Sequence, residues 1–469
     1  MHVSAVSPAV RAAQPAAATP QAKTAPALPV LRPGADPALA TVLDARVASL
    51  SAVLDLVRGG VAATRPELEH RTGLGRKVVA QRVGELVDAG LLDESTFGPS
   101  TGGRAPRQMA FVASAGLVLV AHFGATAMSA GVTDLAGHLR ATTHRVHDIA
   151  AGPEAALTLM LGLWDTLLGE LGYHGAPPPV WGVGVGVPGP VEYSTARPVS
   201  PPIMPGWDEF PIRERIQDHW PVPVWVDNEV NAMALGELRA GVARGYTDVV
   251  YVKLGTGIGA GIVSGGVLHR GAQGVAGDVG HIPVREHLGI TCHCGRTDCV
   301  EAVAGGAALV GQATDAAREG RSPYLANHLE RDGTLAIRHL VDAVQHSDPT
   351  TTNLLRTSGR RIGEMLASVI NILNPALVVI GGPLAETGDL LLAAIRQAVY
   401  DRSLPLATRD LRITRSFDND TVGVTGSAFT VIDEIFAPGA LEQRIGQGRP
   451  DLNLPAHSRD SAPTRPRNA

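Results

Sequence analysis

The sequence predicts an α/β protein in two parts, a small helical module carrying a two-stranded ribbon and, behind it, a larger domain of alternating strands and helices. Three observations predict it. Before about residue 90 the apolar residues recur at helical steps; beyond Ala113 they gather into short Val/Gly-rich strands; and two of those strand segments repeat one glycine-bearing turn.

At 469 residues the chain exceeds what one hydrophobic core ordinarily covers, so more than one folding unit is expected. With 45% hydrophobic and 18% charged residues and formal net charge −5, the composition is that of a soluble globular chain. It excludes a global basic surface, so any charge that meets nucleic acid has to be local. No apolar run approaches the roughly 18 residues that span a bilayer, and the N-terminal segment lacks a secretory core. A cytoplasmic protein with no membrane partner is expected. Residues 1–40, rich in Ala and Pro, and residues 441–469 are expected to be disordered.

Leu39, Val42, Leu43, Val47, Leu50, Val53, Leu54 and Val57 fall at three- and four-residue steps, the spacing of one face of a helix that Gly59-Gly60 stops. Thr64-Arg65-Pro66-Glu67 starts a second helix: Thr caps, Glu reaches back, and Pro tolerates the first turn. Thr72-Gly73-Leu74-Gly75 makes a turn, and a third helix runs from Arg76 to Ala89 with Val79, Val83, Leu86 and Val87 inward. Leu91-Leu92 and Met109 to Val112 flank Thr101-Gly102-Gly103-Arg104, which reads as a ribbon with a basic tip. Together these make a winged helix-turn-helix over residues 41–112. Thr41 to Arg107 carries nine Lys/Arg against eight Asp/Glu, a net charge of only +1. The distribution is more telling: Arg76, Lys77, Gln81 and Arg82 open the third helix, where a recognition helix meets the major groove, and Arg104 and Arg107 mark the wing. The expected partner is operator DNA; a solvated helix face or a protein-interaction module is the competing reading.

Over residues 113–440, the segments Gly182 to Val187, Val222 to Val226, Val249 to Leu254 and Leu377 to Ile380 read as buried strands. Val118 to Val132 and Val250 to Val263 echo each other, each with a glycine-bearing hairpin turn, which predicts two related lobes with a cleft between them. All three cysteines, Cys292, Cys294 and Cys299, crowd one stretch, a pattern that suits a metal site better than a disulfide framework.

Gly277-Asp278-Val279-Gly280-His281, with Cys292-His293-Cys294-Gly295 and Cys299-Val300-Glu301 after it, closely resembles the signature of the ROK family of bacterial sugar kinases and repressors. Val187-Pro188-Gly189-Pro190-Val191, Pro205-Gly206-Trp207, Asp227-Asn228-Glu229-Val230-Asn231, Gly255-Thr256-Gly257-Ile258-Gly259 and Asn374-Pro375 leading to Gly381-Gly382 resemble further family segments in family order. The resemblance covers about Val112 to Ala437, and the front module resembles the DNA-binding domain of the family's regulators. It implies a two-lobed, actin-like (ribonuclease-H-like) sugar-kinase fold with a zinc site inside residues 277–301.

The implied zinc ligands are His281, Cys292, Cys294 and Cys299, with His293 as a substitute; one imidazole and three thiolates suit a closed tetrahedral site. The implied sugar-binding residues are Asn228, Glu229, Asp278, His281 and Glu301, whose planar carboxylates and amides match paired hydroxyls. Two of them depart from the family, which usually has Asp at Glu229 and Glu at Asp278. Where ROK kinases carry Asp-hydrophobic-Gly-Gly-Thr-Lys, this chain has His122-Phe123-Gly124-Ala125-Thr126-Ala127, without the acid or the base. Phosphoryl transfer is mostly positioning and electrostatics, so His122, Ala125, Ala127 and Glu229 argue against an enzyme. Gly255, Thr256, Gly257, Gly259, Gly381 and Gly382 are the candidates for a residual nucleotide contact. The resulting expectation is a sugar-responsive repressor, a homodimer or homotetramer, that binds operator DNA, zinc and a sugar effector. The alternative is an active ATP-dependent sugar kinase carrying a DNA-binding domain.

Overall fold

The computed structural model describes residues 37–97, 107–174, 179–416, 418 and 420–447. The chain divides into two units, Met1–Arg46 and Val47–Ala469. Of the first, the described part is the start of helix α1 (Pro37–Arg58); the second holds the rest of that helix and every other described element.

The front module is α1, α2 (Arg65–Thr72), α3 (Arg76–Asp88) and an antiparallel hairpin of β1 (Leu92–Phe97) and β2 (Arg107–Phe111). The helix-start signal is realised literally: Glu67 Oε2 accepts the backbone N–H of Ala63 at 2.8 Å and of Thr64 at 2.9 Å. Gly73 ends α2 in the left-handed conformation, φ 69°, as the turn reading requires. Leu50, Leu54, Leu68, Val79, Val83, Leu86 and Met109 are buried together, and Arg65 grips Glu94 through two hydrogen bonds that fasten α2 to β1. The wing tip, Arg104 included, lies outside the described residues.

The first lobe is built from β3 (Leu117–Phe123), β4 (Ala127–Asp134), β5 (Leu139–Val146), α4 (Pro153–Glu170), β6 (Val180–Val187), the short pair β7 (Val191–Glu192) and β8 (Arg197–Pro198), α5 (Ile212–Gln217), β9 (Val224–Asn228) and α6 (Glu229–Ala240). The second lobe has β10 (Val249–Leu254), β11 (Ile258–Ser264), β12 (Val267–His269), α7 (Val300–Ala304), α8 (Gly306–Arg318), α9 (Pro323–Asp332), α10 (Ile337–Gln345), α11 (Pro349–Leu373), β13 (Leu377–Gly381), α12 (Asp389–Arg402), α13 (Pro405–Thr408) and β14 (Arg412–Arg415). Helices α14 (Val422–Ile435) and α15 (Pro438–Gln447) close the chain.

The sheet orders are β5-β4-β3-β6-β9 and β12-β11-β10-β13-β14. Each has a three-stranded antiparallel meander whose first strand pairs in parallel with a fourth, which in turn pairs in parallel with a fifth. The two lobes therefore share one topology, as the echoed turns predict. Helix α14 crosses back to lie on β3 and β6 and against α6. That approach needs a residue without a side chain, because a Cβ on Gly426 would sit 1.6 Å from the carbonyl oxygen of Ala232.

Two expectations change. Residues 441–447 are not a disordered tail: α15 runs to Gln447, and Leu441 is fully buried while Ile445, one helical turn on, packs beside it. The front module also has no core of its own. Leu50, Leu86 and Met109 belong to one apolar cluster with Val118, Trp181, Val431, Phe436 and Leu441. Phe436 meets Phe111 edge-on at 5.8 Å and Trp181 at 6.2 Å, with the Arg58 guanidinium 4.9 Å from its ring. Residue 112 thus marks a change of architecture but not a break in packing. Among the described residues no helix is long and apolar enough to cross a membrane.

Candidate functional site

A cleft of about 640 Å³ lies between the turns of the two lobes, within the usual size of a small-molecule site. The structure brings Asn228, Glu229, Asp278, His281 and Glu301 to its lining, along with Ala125, Thr256, Gly257, Gly259, Cys292 and Cys294. Gly255, Gly381 and Gly382 are not among the lining residues. Gly382 is needed for packing instead, since at φ 86° a Cβ there would meet the Leu254 carbonyl oxygen at 2.6 Å.

Each polar residue is placed by an element end. Asn228 closes β9 and caps α6: its Oδ1 accepts from Val230 N at 2.8 Å, and its Nδ2 donates to the Gly189 carbonyl at 2.8 Å. Glu229 is the first residue of α6 and Glu301 the second of α7. Glu301 Oε2 accepts the N–H of Ile258 at 2.9 Å, holding the second glycine turn over the cleft. Asp278 is half exposed, with Oδ1 3.8 Å from His281 Nε2.

His281 faces both ways. Its Nδ1 is 3.5 Å from Cys292 Sγ, while Cys294 Sγ and Cys299 Sγ are 3.7 Å apart. A tetrahedral zinc with bonds of about 2.3 Å to sulfur and about 2.0 Å to nitrogen spaces its ligands by about 3.7 Å (S···S) and about 3.5 Å (S···N). The four ligand atoms all lie within 4.8 Å of one another, so the donor set, number and spacing fit zinc. His293 is exposed and outside this group. Burial pushes the Cys299 thiol up to about 12 and raises that of Cys292, whereas the backbone N–H of Arg296 lowers that of the exposed Cys294.

The matched family is the ROK family, over residues 120–434. The chain belongs to the ROK family. It is 28% identical to a putative xylose repressor of a Caldicellulosiruptor species, covering 80% of this chain and 92% of that one. It is 32% identical to a glucokinase of Halalkalibacterium halodurans over 55% of this chain and 78% of that one. Among solved structures, a ROK family transcriptional regulator described as a homolog of the E. coli MLC protein superposes with a TM-score of 0.72 at 23% identity, covering 86% of this chain and 99% of that one. The ROK family thus joins this fold to both regulators and kinases, and the details of the cleft have to separate them.

Those details include a residue that the sequence reading missed. Lys253, on β10, donates from Nζ to Glu229 Oε2 at 2.5 Å. A single charge inside the apolar strand Val249–Leu254 is the signal that could have found it. His122, at the end of β3, sits 3.9 Å from the same carboxylate oxygen, and burial, reinforced by the Lys253 charge, lowers its pKa to about 3. The imidazole is therefore neutral, and its buried Nδ1 has no partner among the described residues.

The sign of the resulting pH dependence follows. Above pH 6.5 neither folded nor unfolded chain protonates this histidine; below it the unfolded chain takes up a proton that the folded one refuses until about pH 3. Stability is therefore expected to fall with pH through this window by up to about 1.4 kcal/mol per unit. Urea midpoints at about pH 7 and about pH 5 check it; a His122→Leu chain that loses as much as wild type refutes it.

Arg270 was also missed. It stacks on the Tyr193 ring at 3.9 Å and bonds to Asp227 Oδ2 at 2.8 Å, while Tyr193 Oη donates to Glu434 at 2.9 Å. Arg270 follows β12 of the second lobe; Asp227 is on β9 of the first and Glu434 on α14.

On the front module, Arg76, Lys77, Gln81 and Arg107 are exposed. Arg82 is not a surface contact: it is buried, its Nε donates to Ser49 Oγ at 2.8 Å, and it pairs with Glu85 at 2.7 Å. Its position on the helix points it toward α1, where it joins helices rather than facing a groove.

Proposed function

We propose that the chain is a sugar-responsive, DNA-binding repressor whose cleft holds a sugar without phosphorylating it. The observation that carries this reading is the shared core: the helix-and-ribbon module is packed through Phe436 onto the lobe that forms the cleft, so both respond to one body. The xylose repressor similarity, which extends over most of this chain, supports it.

In this reading residues 41–112 are a winged helix whose α3 enters the major groove, with Arg76, Lys77 and Gln81 at the bases and phosphates and Arg107 on the wing. In the cleft Glu229, Asp278 and Glu301 accept from sugar hydroxyls, Asn228 shapes the wall, and His281 presents Nε2 to a hydroxyl while its Nδ1 faces the sulfurs. Zinc, held by His281, Cys292, Cys294 and Cys299, braces that loop and fixes the imidazole tautomer. His122, Ala125 and Ala127 offer neither a hard oxygen ligand nor a cation for phosphate, which supports a non-catalytic cleft. A homodimer or homotetramer is part of the proposal, supported by exposed Ile372, Tyr400, Leu404 and Leu406 at one end of the second lobe.

The test is a gel-shift salt series on the operator with and without a panel of neutral sugars. Binding is expected to weaken steeply with salt and to respond to one sugar class. Arg76→Ala or Gln81→Ala is expected to cost about 1–3 kcal/mol where the residue reads a base edge. Salt-insensitive binding, or operator affinity unchanged in both variants, sinks the proposal. The glucokinase similarity keeps one rival in view, and rapid ATP turnover with common hexoses in a coupled assay would establish it.

A further inference from the structure

The cleft contains an ion pair with no role in the reading above. The Lys253 ammonium and the Glu229 carboxylate are only 15% and 10% exposed, and the ammonium lies between the glycine turns of the two lobes. A Cβ built on Gly124 would be 4.0 Å from Lys253 Nζ, and one built on Gly255 would be 3.8 Å from it. Facing glycine turns with a carboxylate at their base are where a nucleotide's terminal phosphate and its divalent cation would be held. Here the turns are closed on themselves, with Gly124 N donating to the Ala127 carbonyl at 2.8 Å and Gly255 N to that of Gly257 at 3.0 Å. The position of the cation is filled by a side chain of the protein.

A carboxylate buried without a partner is costly, and so a cleft that retains Glu229 for hydroxyl binding needs a counter-charge beside it. A kinase obtains part of that charge from a metal that arrives with its nucleotide. This chain carries its own. The neutral His122, 3.9 Å from Glu229, cannot supply it.

We propose that Lys253 is a positioning and specificity residue that replaces the nucleotide-borne cation: it pairs with Glu229, fixes that carboxylate for a neutral sugar's hydroxyl, and makes sugar binding independent of nucleotide. The inference rests on the reading of the cleft as a sugar site and adds that the effector is an uncharged sugar taken up alone. With Glu229 Oε2 already accepting from Lys253, and an ammonium standing in the path of an incoming phosphate's metal, the same pair keeps the cleft from transferring phosphate.

Isothermal titration of the zinc-loaded full chain tests this, using the neutral sugar that shifts its melting most, with and without the magnesium complex of a non-hydrolysable ATP analogue. Wild type is expected to bind the sugar equally in both conditions. Lys253→Met, nearly the same shape without the charge, is expected to bind at least tenfold more weakly and to recover part of that loss when the magnesium nucleotide is added. Lys253→Arg is expected to stay within about threefold of wild type, which a purely packing role would not produce. A Lys253→Met chain that binds as wild type does overturns the inference. So does a wild-type affinity that rises with magnesium nucleotide, a measurement that stands even where the variant fails to fold. Wild type that binds no neutral sugar in any condition removes the sugar reading itself and this inference with it.

Discussion

If zinc occupies the proposed site, replacing Cys299 by Ser is expected to release it and to cost about 4 kcal/mol or more of stability. Cys299 is almost wholly buried at the start of α7, with Cys294 Sγ 3.7 Å away and a ring nitrogen of His281 within 4.8 Å. A structural zinc returns folding free energy only through a complete ligand set, so a missing thiolate forfeits most of the site rather than a quarter of it. His281 and Glu301 sit at either end of this loop and both reach the cleft. The same substitution, or chelation of wild type, is therefore expected to abolish sugar binding as well. Elemental analysis gives the first result, thermal denaturation the second, and sugar titration before and after chelation the third. A chain that loses its metal and keeps its sugar affinity would show that His281 is not shared between the two.

Arg270→Met is expected to lower stability by about 3–5 kcal/mol, because it strands the buried Asp227 carboxylate in the first lobe. Asp227 Oδ1 also accepts the backbone N–H of Asn228 at 2.7 Å and the amide of Asn231 at 2.9 Å, so the loss reaches the cap that shapes the cleft wall. Burial opposes the charge of Arg270, yet the neighbouring Asp227 and the Tyr193 face hold its guanidinium fully protonated. Arg270→Lys is expected to recover less than half of the loss, since an ammonium cannot reproduce the planar grip on a carboxylate while covering an aromatic ring. Urea denaturation of the three chains decides this. Equal midpoints for wild type and the methionine variant would mean that Asp227 finds its counter-charge elsewhere.

Much of this was legible in the sequence, and the reasons it was or was not are local. Cys292, Cys294 and Cys299 were readable because residue type and spacing carry their chemistry, and the fold only had to bring His281 to them. The front helices were readable because Thr64, Glu67 and Gly73 act within a turn of their own backbone. Arg82 was misread because a charge at the start of a helix gives no sign of which neighbour the helix packs against; Ser49 settles that, from a distant part of the chain. Helix α15 was hidden by its polar composition, with Leu441 and Ile445 too few to stand out until Trp181 and Phe436 give them a surface. The partners of Lys253 and Arg270 lie in the opposite lobe, and no local pattern announces a contact across a cleft.

The core closed by Phe436 and Leu441 also has a consequence for biosynthesis. The helices that α3 packs with precede both lobes in the chain, yet part of the apolar surface they present is covered by α14 and α15, which follow both lobes. The nascent protein therefore carries an unfinished greasy seam until α14 and α15 have been made, and the final locking of its front module waits on them. A ribosome stalled before α14 would hold a chain prone to clump or to recruit chaperones, however complete its first lobe looks.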